Sequence, residues 1–367
     1  MIKANITINY IILVKIYYDS VHGKVKMNNI FSNLIKLSRC VKKGGVLSGS
    51  LFNFFINDLI VECYESGYGA SFFDIIMCII GFCDDIGLLS SSIEDLQELL
   101  NICYKYSKKW AIEFNIPKCQ YIVFGSTKFD NACLELGGLQ LPFANSFKYL
   151  GLEFTRDLNM SKFFLDKFSR VHKSFFSLNA FGFKTGGVSP FLQSYIYKTF
   201  CISRILYGLE IMHLNKKTIN MINLSQNTIV RYMTGLSKNS HISDVLKILK
   251  IYNIHELYLY MKLIFVKNLK NNFICKKIFE YLLISNYKDK SSTKSFIKDF
   301  KNVCVYVHQN EEFVINNINV VIKEFKAKSR LYEINPDTDM IKHCLENNQD
   351  FNMVNQLNAV TYAGRIK

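Results

Sequence analysis

Two adjacent carboxylates, Asp84 and Asp85, stand inside the otherwise apolar run GFCDDIGLLSSS. Like charges repel, and burying them is costly unless a cation lies on them. Carboxylate oxygens are the ligands that Mg²⁺ prefers. Phosphoryl transfer onto a growing nucleic acid uses two such cations about 4 Å apart, bound by carboxylates from neighbouring strands. The pair therefore indicates half of a metal site or, as the alternative, a solvated turn.

The flanking segments predict the elements that position the two acids. Apolar runs at residues 74–81 and 86–90 are each about strand length, which favours a β-hairpin with the acids at its tip. Ser91, three residues before Glu94, has the pattern of a capping box at the start of a helix. One stripe of that helix would carry apolar side chains, namely Leu96, Leu99, Leu100, Cys103, Trp110 and Phe114.

The order of the other elements predicts an α+β fold class, with an antiparallel sheet that has helices on one face. Strands are predicted at residues 8–18 and 119–124, a short helix at 27–37, a hairpin arm in ACLELGG, and a strand in FKYLGLEF that turns at Gly151. After residue 156 the spacing is helical. The predicted helices there are 158–180, 188–207, 215–234 and 240–268.

Composition limits the class of partner and compartment. The net charge of +15 favours a polyanion such as nucleic acid, although the excess of Lys over Arg is also what AT-rich codons would produce. The 11 cysteines are odd in number and widely spaced, which predicts free thiols in an intracellular compartment, cytoplasmic or nuclear, rather than secretion. Acids interrupt the apolar stretch at 70–90, so no membrane span is expected.

Four motifs resemble those of reverse transcriptases. GFCDDIGLLSSSIEDLQELL is similar to the metal-binding hairpin F/Y-x-D-D and the helix after it. VKKGGVLSGSLFNFFINDLI is similar to the upstream loop and helix V-R-Q-G-x-x-L-S-P-x-L-F-N-x-x-x-N-D-L. FNIPKCQYIVFG resembles the N-x-x-K-C/S segment, and FKYLGLEF the Y-L-G turn. The order and wording are similar to those of non-LTR (LINE-type) retrotransposons.

This resemblance implies an architecture and an activity. The expected fold is a right-hand polymerase palm at residues 1–155, a helical thumb at 156–268 and a Lys- and Asn-rich helical extension at 269–367. The expected activity is RNA-directed DNA polymerisation, a two-metal nucleotidyl transfer onto a primer 3′ end. Its partners would be an RNA template, a DNA primer and a dNTP, and its cofactor Mg²⁺ or Mn²⁺.

The resemblance also carries residue roles. Asp84 and Asp85 would be the catalytic metal ligands, and Lys118 the general acid that protonates pyrophosphate, unless it is a surface lysine. The residues expected near the nucleotide or template are Tyr18, Gly44, Gly45, Ser48, Phe82 and Cys83. Those expected to contact the primer are Tyr149, Leu150 and Gly151.

One departure from the family pattern removes a ligand. VKIYYDSV is similar to the end of the first acidic strand, F-x-D-L-x-K-A-F/Y-D-S-V. This match puts Tyr18 where an aromatic blocks the ribose 2′-hydroxyl, and Leu13 where an Asp bridges both metals. Leucine cannot coordinate a metal, and Asp19 lies six residues away, roughly 20 Å along a strand. A loss of at least about a thousandfold in rate is therefore expected.

Further departures concern the loop and the N-terminus. Lys43 replaces the usual Gln of the loop motif, and Gly49 replaces the usual Pro. Met1 lies about a dozen residues before the first acidic segment, which predicts an N-terminally truncated copy with most of the fingers missing and no preceding endonuclease. Two hypotheses therefore stand: a polymerase of weak activity, or a catalytically dead remnant that at most binds nucleic acid through its basic thumb. A helical scaffold with a chance acid pair is a third.

Overall fold

The computed structural model describes residues 5–37, 41, 45–125, 132–284, 296–330 and 342. The chain divides into two compact units. Unit 1 consists of Met1–Tyr121 and Lys128–Phe143, and unit 2 of Ile122–Thr127 and Ala144–Lys367.

Unit 1 combines helices with short antiparallel strand pairs. Its described helices are α1 (Ile8–Asp19), α2 (Ser48–Glu65) and α3 (Ile93–Trp110). Its described strands are β1 (His22–Gly23), β2 (Lys26–Met27), β3 (Ile30–Phe31), β4 (Ile35–Lys36), β5 (Ala70–Phe72), β6 (Ile75–Met77), β7 (Ile79–Phe82), β8 (Asp85–Leu88), β9 (Glu135–Leu136) and β10 (Leu139–Gln140). The pairs are β1 with β4, β2 with β3, β5 with β6, β7 with β8 and β9 with β10.

The core of unit 1 forms where α2 packs against α3. Leu59 on α2 and Leu99 on α3 are both fully buried, and the hydroxyl of Tyr106 donates a hydrogen bond of 2.5 Å to the carbonyl of Phe55. Burying side chains of this size stabilises the pair by roughly 1.5–3 kcal/mol each. This helix pair supports the hairpin that carries the acids.

The start of α3 corrects one detail of the sequence prediction. The helix is present, but its N-cap is Ser92 rather than Ser91, since the hydroxyl of Ser92 accepts the backbone N–H of Asp95 at 3.0 Å. Ser92 has the extended backbone that an N-cap requires, with φ −128° and ψ 158°. Glu94 and Asp95 in the first turn and Lys108 and Lys109 in the last complement the helix dipole.

Three elements predicted in unit 1 are wrong. Residues 8–18 form a helix, not a strand, and a short apolar run without alternation cannot distinguish the two. The predicted helix at 27–37 is instead occupied by β2, β3 and β4, because Asn28 and Asn29 take positive φ values of 46° and 68° and turn the chain. The strand predicted at 119–124 is reduced to a parallel bridge between Tyr121 and Phe143.

The sheet also differs from the prediction of one antiparallel sheet with helices on one face. The described strands form six separate two-stranded antiparallel sheets. Each pair joins segments that are close in sequence, so the hydrogen bonds stay local. Helices together with small antiparallel sheets are compatible with the predicted α+β class.

The described part of unit 2 is helical apart from one hairpin, β11 (Ser146–Tyr149) with β12 (Leu152–Thr155). Its described helices are α4 (Ser161–Ser177), α5 (Pro190–Ile196), α6 (Ser203–Leu206), α7 (Lys216–Thr234), α8 (Ser243–Ile248), α9 (Ile254–Leu269), α10 (Phe273–Ile284), α11 (Phe296–Val307), α12 (Glu311–Asn316) and α13 (Ile318–Arg330). A π-helical segment at Tyr197–Cys201 connects α5 to α6. The four helical segments predicted after residue 156 are confirmed in outline.

One continuous hydrophobic core holds unit 2 together. On α4, a stripe with helical spacing is fully buried: Phe164, Phe168, Val171 and Phe175. The same core includes Leu263 of α9, Phe300 of α11 and Phe325 of α13. The described part of the chain beyond residue 268 therefore packs with α4 to α9. The domain limits proposed after residues 155 and 268 stay predictions.

The nine cysteines in the described ranges are free, and five of them are buried: Cys63, Cys78, Cys103, Cys201 and Cys304. None of the helices in the described ranges has both the length and the hydrophobicity needed to span a membrane.

Candidate active site

The acid pair lies at the tip of the β7–β8 hairpin. In its register Phe82 pairs with Asp85, which leaves Cys83 and Asp84 as a two-residue turn. Cys83 has a φ of 53°, in the left-handed region that L-residues seldom adopt. The predicted hairpin with acids at its tip is thus confirmed, with Asp84 in the turn and Asp85 as the first residue of β8.

The two faces of this hairpin differ in exposure. Ile79 is 5% exposed, and a Cβ placed on Gly81 would lie 3.6 Å from Ile60 of α2, so this face lies against the helix. The other face carries Phe82, which is 59% exposed, and its cross-strand partner Asp85. Asp84 and Asp85 are both exposed. Water can therefore solvate the two charges, and no cation is needed to make the pair tolerable.

The carboxylates do not complete the donor set that a two-metal centre needs. Within the described residues, no group of three or more His, Cys, Asp or Glu side chains is placed to hold a metal ion. Reverse transcriptases normally use divalent metals, and hard cations require several oxygen ligands. The described residues thus supply two adjacent carboxylates of such a site and not the remainder, and they do not fit the complete two-cation centre.

Residues matched to the first acidic strand lie on α1. None of the residues of α1 is buried, and Leu13 is 62% exposed. Tyr18 lies five residues further along the same helix and packs edge-to-face on Tyr17, with ring centroids 5.3 Å apart. Asp19 is the last residue of the helix. At the position matched to the shared metal ligand, the chain therefore has the apolar side chain of Leu13, which faces solvent.

Two of the residues expected near the nucleotide, Gly45 and Ser48, lie at the start of α2. Gly45 is partly buried, and its carbonyl accepts the backbone N–H of Ser48 at 3.1 Å. Ser48 is the first residue of α2 and is 9% exposed. Gly44 lies outside the described residues, as does Lys43.

Lys118 lies at the end of a short 3₁₀ turn, Ile116–Lys118, and is exposed. Its backbone N–H donates to the carbonyl of Asn115 at 2.8 Å. Among the ion pairs found in the described ranges, none joins Lys118 to Asp84 or Asp85. The structure thus places the proposed acid and the carboxylates in one unit without a direct contact between them.

The three residues expected at the primer belong to unit 2. Tyr149 pairs with Leu152, and Leu150 and Gly151 form the turn of the β11–β12 hairpin, with φ values of 47° and 81°. Two consecutive positive φ values define the turn that suits the twist of a two-residue hairpin. The hydroxyl of Tyr207, the residue that follows α6, donates a hydrogen bond of 2.5 Å to the carbonyl of Leu150. This bond connects the turn to the end of α6.

The net charge is divided unevenly between the two units. Unit 1 contains 13 Lys and Arg residues and 13 Asp and Glu residues, so its formal charge is zero. Unit 2 contains 32 basic and 17 acidic residues and carries the whole excess of +15. The charged residues are all visible in the sequence, but the net charge of each unit could be counted only after the limits of the units were known.

Comparison with known proteins agrees with the motifs. Residues 2–154 match the family model described as reverse transcriptase (RNA-dependent DNA polymerase). The chain is similar to the RNA-directed DNA polymerase from mobile element jockey of Drosophila melanogaster, 21% identical over 252 residues, which cover 65% of this chain and 26% of that protein. The protein of the same name from Drosophila funebris is 21% identical over 230 residues, 61% of this chain and 25% of its own length.

This chain spans about a quarter of the length of the curated relatives it matches. The matched family segment contains the acid hairpin, the loop before α2 and the β11–β12 turn, so the motifs and the comparison agree on the same residues. The motifs, the family model and the two relatives therefore all support a retrotransposon reverse transcriptase domain at residues 2–154.

Proposed function

We propose that this chain binds nucleic acid through the basic surface of unit 2 and does not polymerise DNA by itself. Its family relationship supports a template and primer as the class of ligand. The observation that carries the proposal is the incomplete acid set: Asp84 and Asp85 occupy the hairpin tip, while the resemblance to the family motif puts the exposed Leu13 where a shared metal ligand is expected.

The missing ligand is a stronger argument against polymerase activity than the retained acid pair is in its favour. In two-metal transfer one carboxylate bridges the cation that activates the primer hydroxyl and the cation that holds the triphosphate. Without it, the developing charge in the transition state loses stabilisation, and each 1.36 kcal/mol lost costs about tenfold in rate. An exposed leucine on α1 supplies no such charge. The retained hairpin is the feature that favours the second candidate, a weakly active polymerase.

Binding does not depend on the metal site. Lys and Arg side chains displace condensed counterions from phosphates, and this gain scales with the number of phosphates contacted. An excess of basic residues confined to unit 2 directs a polyanion to that unit. The proposed activity is therefore salt-dependent association with RNA or DNA.

Fluorescence anisotropy with a labelled poly(rA)/oligo(dT) duplex tests binding. The logarithm of the affinity should fall linearly with the logarithm of the salt concentration, with a slope of about −0.9 for each phosphate neutralised. No association at about 50 mM salt would overturn the proposal.

Primer extension on the same duplex, with dTTP and either Mg²⁺ or Mn²⁺, tests polymerisation. We expect the wild-type chain to incorporate no more nucleotide than the Asp84→Asn variant. Incorporation by the wild type that Asp84→Asn abolishes would instead establish the polymerase reading.

A further inference from the structure

Unit 2 contains a cavity of about 530 Å³ that the proposed function does not use, and its lining includes several polar side chains. Its volume lies within the range of small-ligand sites. From α7 it is lined by Asn223, Asn227 and Arg231, which are spaced four residues apart and so share one face of the helix. Glu256 from the first turn of α9 and Tyr306 from α11 also line it.

Two polar atoms of this lining are buried without a hydrogen-bond partner among the described residues: Oδ1 of Asn227 and Nε of Arg231. An oxygen acceptor and an N–H donor are thus left unsatisfied one helical turn apart. Buried polar groups in folded proteins are nearly always paired, so such a combination calls for a partner. The guanidinium is held in place because its Nη2 donates to the carbonyl of Ser240 at 3.1 Å.

The chemistry of the lining selects among ligands. A phosphate alone would pair with Arg231 but would face the oxygen of Asn227 and the carboxylate of Glu256, which repel it. The edge of a nucleobase carries a donor beside an acceptor, and amide and guanidinium side chains pair with such edges. The ring of Tyr306 adds an aromatic surface, and its hydroxyl donates to Glu256 at 3.3 Å.

We propose that this cavity binds one unstacked nucleobase, with the side-chain amide of Asn227 and the guanidinium of Arg231 paired to the edge of the base. A base that is stacked and paired in a duplex cannot insert its edge into a cavity, so the ligand is single-stranded nucleic acid or a free nucleotide. For a base delivered by a bound strand, the inference rests on the proposed function.

Nine-nucleotide strands separate base binding from backbone binding. One strand is abasic throughout, and four others carry a single central adenine, cytosine, guanine or uracil on the same abasic backbone. In anisotropy titrations we expect wild type to bind at least one single-base strand roughly tenfold more tightly than the abasic strand, which corresponds to about 1.4 kcal/mol. Free nucleoside monophosphates, titrated by calorimetry, test whether the cavity binds the base of a free nucleotide.

Asn227→Leu should remove the preference for the base and leave the affinity for the abasic strand unchanged. The matched control is Asn220→Leu, an exposed position on the same helix that does not line the cavity, and it should keep the preference. Because the Oδ1 of Asn227 has no partner to lose, the leucine variant is expected to fold. Arg231→Lys, which keeps the charge but lacks Nε, provides a second variant.

Equal affinity of wild type for all five strands, with no binding of free nucleotides, would overturn the inference and leave a water-filled cavity. A preference that survives Asn227→Leu and Arg231→Lys would overturn it as well. Binding of a free nucleotide that Asn227→Leu abolishes, in a protein that binds no strand at about 50 mM salt, would support the cavity and refute the proposed function. The two failures are therefore distinguishable.

Discussion

At the scale of single residues, the hairpin tip combines backbone strain with exposed negative charge. Cys83 holds a positive φ of 53° without being glycine, and Asp84 follows it in the turn. For an L-residue this conformation costs roughly 1–2 kcal/mol, which the ladder between β7 and β8 must offset. The turn is thus maintained by its flanking strands and not by the local preference of its residues.

Replacement of Cys83 by glycine or by alanine tests this strain. Both variants remove the thiol, but only glycine adopts a positive φ without steric cost. We expect Cys83→Gly to be more stable than Cys83→Ala by about 1 kcal/mol in urea unfolding. Equal stabilities would show that the turn is not strained.

At the scale of elements, a buried polar cluster joins α9 to α11. Asp299 is 2% exposed and accepts the hydroxyl of Tyr258 at 2.5 Å. Lys262 is fully buried, lies 3.5 Å from the same carboxylate and donates to the carbonyl of Met212 at 2.7 Å. Nδ1 of His213 lies 3.0 Å from Asp299. Burial lowers the pKa of Lys262 to about 8, although Asp299 opposes the shift.

Lys262 gives stability a defined pH dependence. Its folded pKa of about 8 lies below the ordinary value of 10.5. Between these values the unfolded chain binds a proton that the folded chain has released, so this contribution to the free energy of unfolding rises with pH. We expect the stability of wild type minus that of Lys262→Met to increase by up to roughly 3 kcal/mol from pH 8 to 10.5.

Guanidinium unfolding at several pH values measures this difference. The exposed Lys267 on the same helix provides the control, since Lys267→Met should show no such trend. Subtracting the variant from wild type removes the contributions of buried cysteines and tyrosines that titrate in the same range. A difference that is constant from pH 8 to 10.5 would contradict the lowered pKa.

At the scale of the whole molecule, the charge of +15 belongs to one unit. Within unit 2, the first turns of α4 and α7 meet, because Nδ2 of Asn215 donates to the hydroxyl of Ser161 at 3.3 Å. Three exposed lysines come directly after these two residues: Lys162 follows Ser161, and Lys216 and Lys217 follow Asn215. They form a local concentration of positive charge suited to phosphates.

Neutralising these three lysines to glutamine should weaken nucleic-acid binding and lower the magnitude of the salt slope by up to about three, one for each lost phosphate contact. The matched control changes three exposed lysines of unit 1, Lys15, Lys36 and Lys105, to glutamine. Equal loss in both triple variants would show that binding follows net charge and not the charge of unit 2.

Patterns of short range were predictable. The hairpin at the acid pair, the helix α3 and the helical character after residue 156 all depend on neighbouring residues, such as turn chemistry, capping and helical spacing. The segment at 8–18 was not, because its apolar side chains show neither alternation nor a polar face. Its state depends on whether another strand pairs with it, and no strand among the described residues does so.

By itself, the sequence determined the resemblance of residues 2–154 to reverse transcriptases, the acid hairpin and the absence of an acid at residue 13, since motif identity and residue type are written in the order of the chain. Only the tertiary structure decided that Asp84 and Asp85 are solvated, that the excess charge lies in unit 2, and that Asn227 and Arg231 share a cavity with Tyr306. Exposure and proximity arise from packing between residues distant in sequence, which no local pattern encodes.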